Sequence, residues 1–193
     1  MGTTQKRTVV SSCNNKRKTE LSCRKRRYKR YTTSLIKKMK TAIEYPESKN
    51  PKVPEQIRPF YHSYPLQMRF NDIDMVGHLN NSIYLSFLDL GKIHYFKAVM
   101  GNQVSWEHIP VVVVNININF YSPTYLEEEI EVVTAVYTIS EHSFKMEQRI
   151  INRQTGDIKC VANTVMAGFD PKTAKGAPID PVWANAIKEF EGL

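Results

Sequence analysis

The sequence predicts an α+β domain in which one antiparallel sheet wraps a single long helix. Three observations carry this prediction. One strand-like segment precedes a long apolar helical segment. Four strand-like segments follow that helix with only turns between them. A strongly basic segment at the start of the chain shows neither the strand-like nor the helical pattern. A doubly wound parallel sheet would need a helix between most strands, so hairpin-linked antiparallel strands fit better.

The first 52 residues carry the basic character of the chain. They contain 16 of the 27 lysines and arginines but only three of the 19 acidic residues, which gives them a charge of +13 and leaves −5 for the remainder. Residues 1–38 contain too few large apolar residues for burial to offset chain entropy, so we expect disorder there. We therefore divide the chain into a basic, disordered extension, residues 1–54, and a folded domain, residues 55–193.

Three interpretations of the extension stay open: a mitochondrial or plastid targeting peptide, a nucleic-acid-binding arm, or translated sequence upstream of a true start at Met39. The charge of −5 on the remainder argues against nucleic-acid binding by the domain itself. No segment approaches the roughly 20 apolar residues of a membrane-spanning helix, so we expect no membrane partner. Cys13, Cys23 and Cys160 form no even disulfide framework, which favours a reducing compartment, and we expect the cytoplasm.

The domain begins with an alternating segment. Between Phe60 and Asn71 apolar and polar residues alternate with the period of a half-buried strand. A polar turn follows, and Asn80 or Asn81 can cap a helix by accepting from its free amides. We therefore expect a first strand and then a helix start.

A long helix is predicted over Ser82–Met100, where large apolar residues form a wide surface. Gly101 follows at a position suited to a C-terminal cap. Because the apolar surface is wide, we expect the sheet to wrap the helix.

The remainder of the domain reads as strands separated by turn residues, with a short amphipathic helix at the end. The predicted strands are Val111–Tyr121, Glu129–Ser140, Ser143–Asn152 and Lys159–Gly168, and the predicted helix is Pro181–Glu191.

The turn before the long helix holds two carboxylates and an imidazole, Asp72, Asp74 and His78. Free amides at a helix N-terminus can hold an oxygen on which negative charge develops. A carboxylate beside them can attack a thioester carbon or take a proton from water. Isolated acids before a helix are usually structural, so the residue types alone do not decide the function.

The whole string from Arg69 onward resembles the 4-hydroxybenzoyl-CoA thioesterase-like family of hotdog proteins. That family has an aromatic-x-Asp-x-Asp-x-x-Gly turn after its first strand and a tyrosine one turn into the helix. The resemblance extends over about residues 56–170. The matching residues are Phe70, Asp72, Asp74, Gly77 and Tyr84.

This resemblance implies a hotdog fold and hydrolysis of an acyl-CoA to the free acid and coenzyme A, without a metal or redox cofactor. It implies that Asp74 is the nucleophile or general base and that an amide near Asn81 is the oxyanion site, with Gly77 and His78 completing the catalytic set. Asp72 is interpreted as mainly structural. Hotdog proteins build their sites between subunits, so we expect a homodimer or homotetramer.

Two alternatives stay open. The segment from Gly77 to Tyr84 is also similar to a string in acyl-ACP thioesterases, although Val76 stands where that group has asparagine. A non-catalytic acyl-CoA-binding hotdog protein is the second alternative. Hotdog hydratases resemble one another in an Asp-to-His spacing of five, whereas Asp74 and His78 are four apart, which argues against that class.

The start of the predicted strand Ser143–Asn152 supplies candidate contacts to coenzyme A, because the family often has a basic residue and Ser-Phe there. An ordinary hairpin with exposed charges is the competing interpretation. The candidates are His142, Ser143, Lys145 and Arg149. In the predicted strand Val111–Tyr121, Asn115, Asn117 and Asn119 form a polar face that we place at a subunit interface.

Overall fold

The computed structural model describes residues 41–46, 48–101 and 109–193, so the disorder predicted for residues 1–38 lies outside the described residues. The predicted order of one strand, one long helix and a run of strands is confirmed. The elements are β1 (Ser63–Leu66), a 3-10 turn (Phe70–Asp72), α1 (Asn81–Met100), β2 (Val111–Phe120), β3 (Ile130–Ile139), β4 (Ser143–Asn152), β5 (Ile158–Asp170), β6 (Lys175–Gly176) and α2 (Pro181–Glu191).

The strands form one antiparallel sheet in the order β1-β3-β4-β5-β2, and the short β6 pairs with β5. Helix α1 packs against one face, which we call the inner face, where Tyr84 and Leu88 share a core cluster with Val132 and Ile150. This is the hotdog architecture that the sequence predicted. It leaves β2 at one edge of the described sheet.

Helix α1 lies unusually close to the sheet at Gly91. A Cβ atom there would approach the Val132 side chain to 2.8 Å and Gln148 Nε2 to 2.9 Å, so only glycine fits. Asn80 caps the helix, because its side chain accepts from the Ser82 amide. Within the described residues, no helix combines the length and apolarity needed to cross a membrane.

Helix α2 is the short amphipathic helix that the sequence predicted, and it closes the far end of the inner face. Trp183 and Ile187 are buried in one cluster with Tyr95. The buried Glu191 carboxylate accepts hydrogen bonds from Tyr95 Oη at 2.7 Å and from the Val136 amide at 2.9 Å. These contacts anchor the end of the helix to β3.

The outer face of the sheet is covered by residues that precede β1. Phe60 is buried there with Val133 and Val161, and Tyr45 and Val53 pack against the same cluster. Tyr45 Oη also donates to Glu131 Oε1 at 2.8 Å. Tyr45 and Val53, which the sequence assigned to the extension, therefore pack against the sheet, and they belong to the same compact unit as the domain.

The first strand is shorter than the alternation predicted, since β1 ends at Leu66. Beyond it, the Asp72 carboxylate accepts the Arg69 backbone N–H at 2.7 Å and stabilises the 3-10 turn. Such a local bond competes with strand pairing. The chain therefore leaves the sheet at Leu66, although the alternating sequence pattern continues beyond that residue.

Candidate active site

The turn between β1 and α1 holds Asp74 in a fixed position. Its Oδ1 atom accepts from the Val76 amide at 2.8 Å and from the His78 amide at 3.3 Å. Its own amide donates to the His78 carbonyl at 2.8 Å. Oδ2 accepts no hydrogen bond from any described residue, so one carboxylate oxygen stays open to a ligand.

Gly77 allows this turn to close. Its φ of +82° lies in the region that residues with a side chain rarely adopt. Its amide donates to the Asp74 carbonyl at 3.0 Å. Gly77 therefore shapes the turn that aims the Asp74 carboxylate.

The first turn of α1, which follows the acid turn in the chain, supplies a free amide. The Ser82 amide is used by the Asn80 cap at 2.9 Å, whereas the Asn81 amide has no acceptor within the described part of the chain. Amides at this end of a helix carry a partial positive charge. The arrangement suits an oxygen that gains negative charge.

Asp74 and Asn81 face a common pocket of about 400 Å³. Its remaining walls come from the turn, from α1 and from the segment that follows β2. The residues around it are Asp74, Val76, His78, Leu79, Asn81, Tyr84, Phe120, Tyr121, Ser122, Pro123 and Thr124. Three of the four predicted catalytic residues thus meet in one pocket, and the fourth, Gly77, shapes its turn.

The wall opposite the turn is bonded to it. Thr124 accepts the Leu79 amide at 2.8 Å with its carbonyl and shares a 2.8 Å hydrogen bond with Tyr84 Oη through its hydroxyl. Burial raises the pKa of Tyr84, so its hydroxyl stays protonated. His78 is half-buried, and its ring meets Tyr125 edge to face at 5.2 Å.

The profile of the Thioesterase-like superfamily matches residues 68–187, well over half of the chain. The chain belongs to this superfamily. The predicted thioesterase class and the predicted hotdog fold are thereby confirmed.

Individual relatives agree with this assignment. The long-chain acyl-CoA thioesterase FadM of Escherichia coli is 27% identical over 116 residues, which is 60% of this chain and 88% of that protein. A thioesterase from Thermus thermophilus, solved with coenzyme A and zinc, superposes with a TM-score of 0.60 at 24% identity, covering 68% of this chain and 94% of that one. A 1,4-dihydroxy-2-naphthoyl-CoA thioesterase from Synechocystis gives 0.58 at 19% identity, covering 65% and 93%.

The predicted coenzyme A contacts of this thioesterase do not gather at the pocket within one chain. His142, Ser143 and Lys145 lie at the β3–β4 hairpin, where His142 and Lys145 are exposed. Ser143 pairs with Ala167, and Ala167 pairs with Val112 at the start of β2. Phe120, at the pocket, is eight residues further along that strand, or about 27 Å.

Arg149 lies on the face of the sheet opposite the pocket. It is 6% exposed, and its Nε donates to Glu147 Oε1 at 2.6 Å. The guanidinium also lies over the Phe60 ring at 5.9 Å. Arg149 is therefore engaged within the outer face and does not reach the pocket of its own chain.

The sequence interpretation recognised the turn but missed the opposite wall. Ser122, Pro123 and Thr124 lie between two predicted strands, and the sequence pattern predicts no site residue among them. Tyr84 entered only as a family match. The alternating apolar pattern that ends at Phe120 predicts where this wall begins. The contact between the wall and the acid turn follows only from the sheet order.

Proposed function

We propose that this thioesterase hydrolyses an acyl-CoA to the free acid and coenzyme A. One observation carries the proposal: Asp74, whose Oδ2 is open, and Asn81, whose amide has no acceptor within the described residues, line the same pocket. A thioester carbonyl held there has a base or nucleophile on one side and an oxyanion donor on the other. The relation to an acyl-CoA thioesterase supports this substrate class.

In the general-base route, Asp74 takes a proton from water as the water oxygen attacks the thioester carbon. The carbonyl oxygen becomes negative and accepts from the Asn81 amide, an interaction worth about 3 kcal/mol for one donor. Collapse of the intermediate breaks the C–S bond, and the proton passes from Asp74 to the departing thiolate. In the nucleophilic route the Asp74 carboxylate attacks the thioester carbon and the C–S bond breaks, which expels coenzyme A as the thiolate and leaves a mixed anhydride. Water then hydrolyses the anhydride, which releases the acid, restores the Asp74 carboxylate and supplies the proton that the thiolate takes up.

This chemistry uses no metal and no redox cofactor. Among the described residues, no three histidine, cysteine or acidic side chains lie close enough to hold a metal ion. The carboxylate supplies the base and the helix amide stabilises the oxyanion. Dialysis against a chelator is expected to leave turnover unchanged.

We further propose a homodimer that pairs β2 with β2 of a second copy. An edge strand presents free backbone donors and acceptors, and Val113 and Val114 on β2 are 43% and 58% exposed. Exposed polar side chains also follow the strand, and Asn119 Nδ2 donates to Asn117 Oδ1 at 2.9 Å. Pairing the two edges would cover these groups.

Such pairing also brings the predicted coenzyme A contacts toward the pocket. In an antiparallel pair centred on Ile116, Phe120 faces Val112 of the second copy. The Ser143 strand of that copy then lies three strand spacings from Phe120, about 15 Å, instead of about 27 Å along one chain. One coenzyme A would thus meet the acid turn of one copy and the hairpin of the other.

The proposed location is the cytoplasm. Cys160 is a buried free thiol in the core, and the sequence contains three cysteines, which do not form an even framework. Such cysteine use is typical of a reducing compartment.

The test is release of free thiol from a panel of acyl-CoAs of increasing chain length, with the same acyl groups on acyl carrier protein in parallel. We expect turnover of at least one acyl-CoA. Turnover of the carrier-protein substrates alone would favour the acyl-ACP alternative, and binding without turnover would favour a non-catalytic protein. Dilution below the dimer dissociation constant should abolish activity in step with dissociation, and a fully active monomer would exclude a shared site.

A further inference from the structure

We propose that Lys159 is a positioning residue for this reaction: its buried ammonium holds the wall segment Ser122–Thr124 against the acid turn. This inference rests on the proposed function. The wall segment connects β2 to β3 and contains no regular secondary structure. Its position therefore depends on contacts with neighbouring elements.

Lys159 supplies these contacts from β5. Its side chain is 3% exposed, and Nζ donates to the Pro123 carbonyl at 2.9 Å, to Glu128 Oε1 at 2.6 Å and to Asp157 Oδ2 at 3.2 Å. An ammonium has three protons, and each has an acceptor here. A buried charge of this kind is held firmly, because losing one acceptor leaves one of its N–H groups without a partner in a poorly solvated place.

The other contacts of Lys159 and Asp157 also lead to the wall. The Lys159 carbonyl accepts from the Tyr121 amide at 2.9 Å. Asp157 Oδ2 accepts from Ser122 Oγ at 2.7 Å. The wall is thus tied to the start of β5 through its backbone, through a serine hydroxyl and through the lysine.

The wall in turn fixes the acid turn. The Thr124 carbonyl accepts the Leu79 amide, and Leu79 forms an antiparallel bridge with Ile73, the neighbour of Asp74. A shift of Pro123 and Thr124 therefore reaches the carboxylate. Lys159 does not line the pocket, so it acts through the wall and not on the substrate.

The activity test uses the full chain with Lys159→Met, which keeps the side-chain length and removes the charge. We expect kcat on the best acyl-CoA of the panel to fall about 10-fold or more, with KM changed less than about threefold, since a misplacement of about 1 Å costs up to about 100-fold. Circular dichroism confirms folding at the assay temperature. Wild-type kcat in folded Lys159→Met would overturn the proposal.

The control is Glu191→Gln, which also removes a buried charge, a carboxylate that pairs with Arg58 away from the pocket. This variant should melt at a lower temperature but keep wild-type kcat. If Lys159 had a purely structural role, Lys159→Met would show that same pattern. If Lys159→Met does not fold, Asp157→Asn removes one anchor of both Lys159 and Ser122. We expect kcat of that variant to fall about threefold, and an unchanged value would overturn the proposal.

A second measurement does not depend on turnover. Hydrogen exchange at the Leu79 amide, which bonds to the wall, should be at least about 10-fold faster in Lys159→Met and unchanged in Glu191→Gln. Wild-type exchange at Leu79 in folded Lys159→Met would contradict the inference. A wild-type chain that hydrolyses no acyl-CoA would instead remove the proposed function, and the exchange rates would still decide the role of Lys159.

Discussion

Polar residues at the two ends of the sheet stand in opposite situations. At the acid turn, Asp74 and Asn81 face one pocket, and each keeps a polar group open. At the β3–β4 hairpin, Lys145 is exposed to solvent, while Arg149, four residues along the same strand, is buried in an ion pair with Glu147. The sequence predicts all of these residues except Glu147 as site residues. Asp74 and Asn81 remain free to bind a ligand, whereas Arg149 is already held by a partner.

The difference arises from what each element must satisfy. A helix N-terminus leaves amides without partners inside the helix, so open polar groups belong to its geometry. A strand inside a sheet has its backbone paired, and a charged side chain on a covered face is retained only with a partner. The partner of Arg149 is Glu147, which lies on the same strand.

The largest expected effect concerns Asp74. Asp74→Asn should keep the fold and the affinity for coenzyme A but lower kcat by about 100-fold or more, because it removes the positioned base or nucleophile. Steady-state kinetics on the best acyl-CoA measures this. Its matched control is Asp72→Asn: Asp72 is buried and bonds the Arg69 amide, so this change should cost stability more than rate. Near-normal turnover in Asp74→Asn, with loss in Asp72→Asn or His78→Ala, would move the chemistry to those residues.

The second effect is on stability. Arg149→Ala should lower the free energy of unfolding by about 3 kcal/mol, since it leaves the buried Glu147 carboxylate without its cation. Urea denaturation measures the change. A loss below about 0.5 kcal/mol would mean that the outer-face ion pair does not hold Arg149 in place, and would return it to the candidates for ligand binding.

Lys145 should respond differently. Because its side chain is exposed, Lys145→Ala should leave the melting temperature nearly unchanged and raise KM for an acyl-CoA about threefold through loss of one phosphate contact. The same substitution should not alter binding of the free acid product. Unchanged KM would support the interpretation of this hairpin as an ordinary charged surface.

The smallest effect is expected at the start of the chain. A chain starting at Met39 should keep the melting temperature and turnover of the full chain, because residues 1–38 supply no predicted core. A chain starting at Glu55 should melt several degrees lower, because it loses Tyr45 and Val53 from the outer face and the bond from Asn50 Nδ2 to the Tyr121 carbonyl. Differential scanning calorimetry compares the three chains. Equal stability of all three would show that the outer-face segment contributes little.

The sequence by itself determined the elements and the reactive turn. Period-two alternation marked the strands after Pro110, and the wide apolar surface of residues 82–100 marked the helix, because local spacing decides which side chains share a face. The string around Asp74 and Gly77 pointed to the turn, since a helix start, a glycine and a carboxylate act together over a few residues.

Only the tertiary structure decided what surrounds that turn. Thr124 and Lys159 join it through strand order and burial, and neither belongs to a local pattern. The burial of Arg149 was also decided by the tertiary structure, because its partner Glu147 and the covering ring of Phe60 lie on the outer face. So was the end of the first strand at Leu66, where the chain leaves the sheet although the alternating sequence pattern continues. Long-range pairing selects neighbours far apart in sequence, and a single sequence read by period does not contain that information.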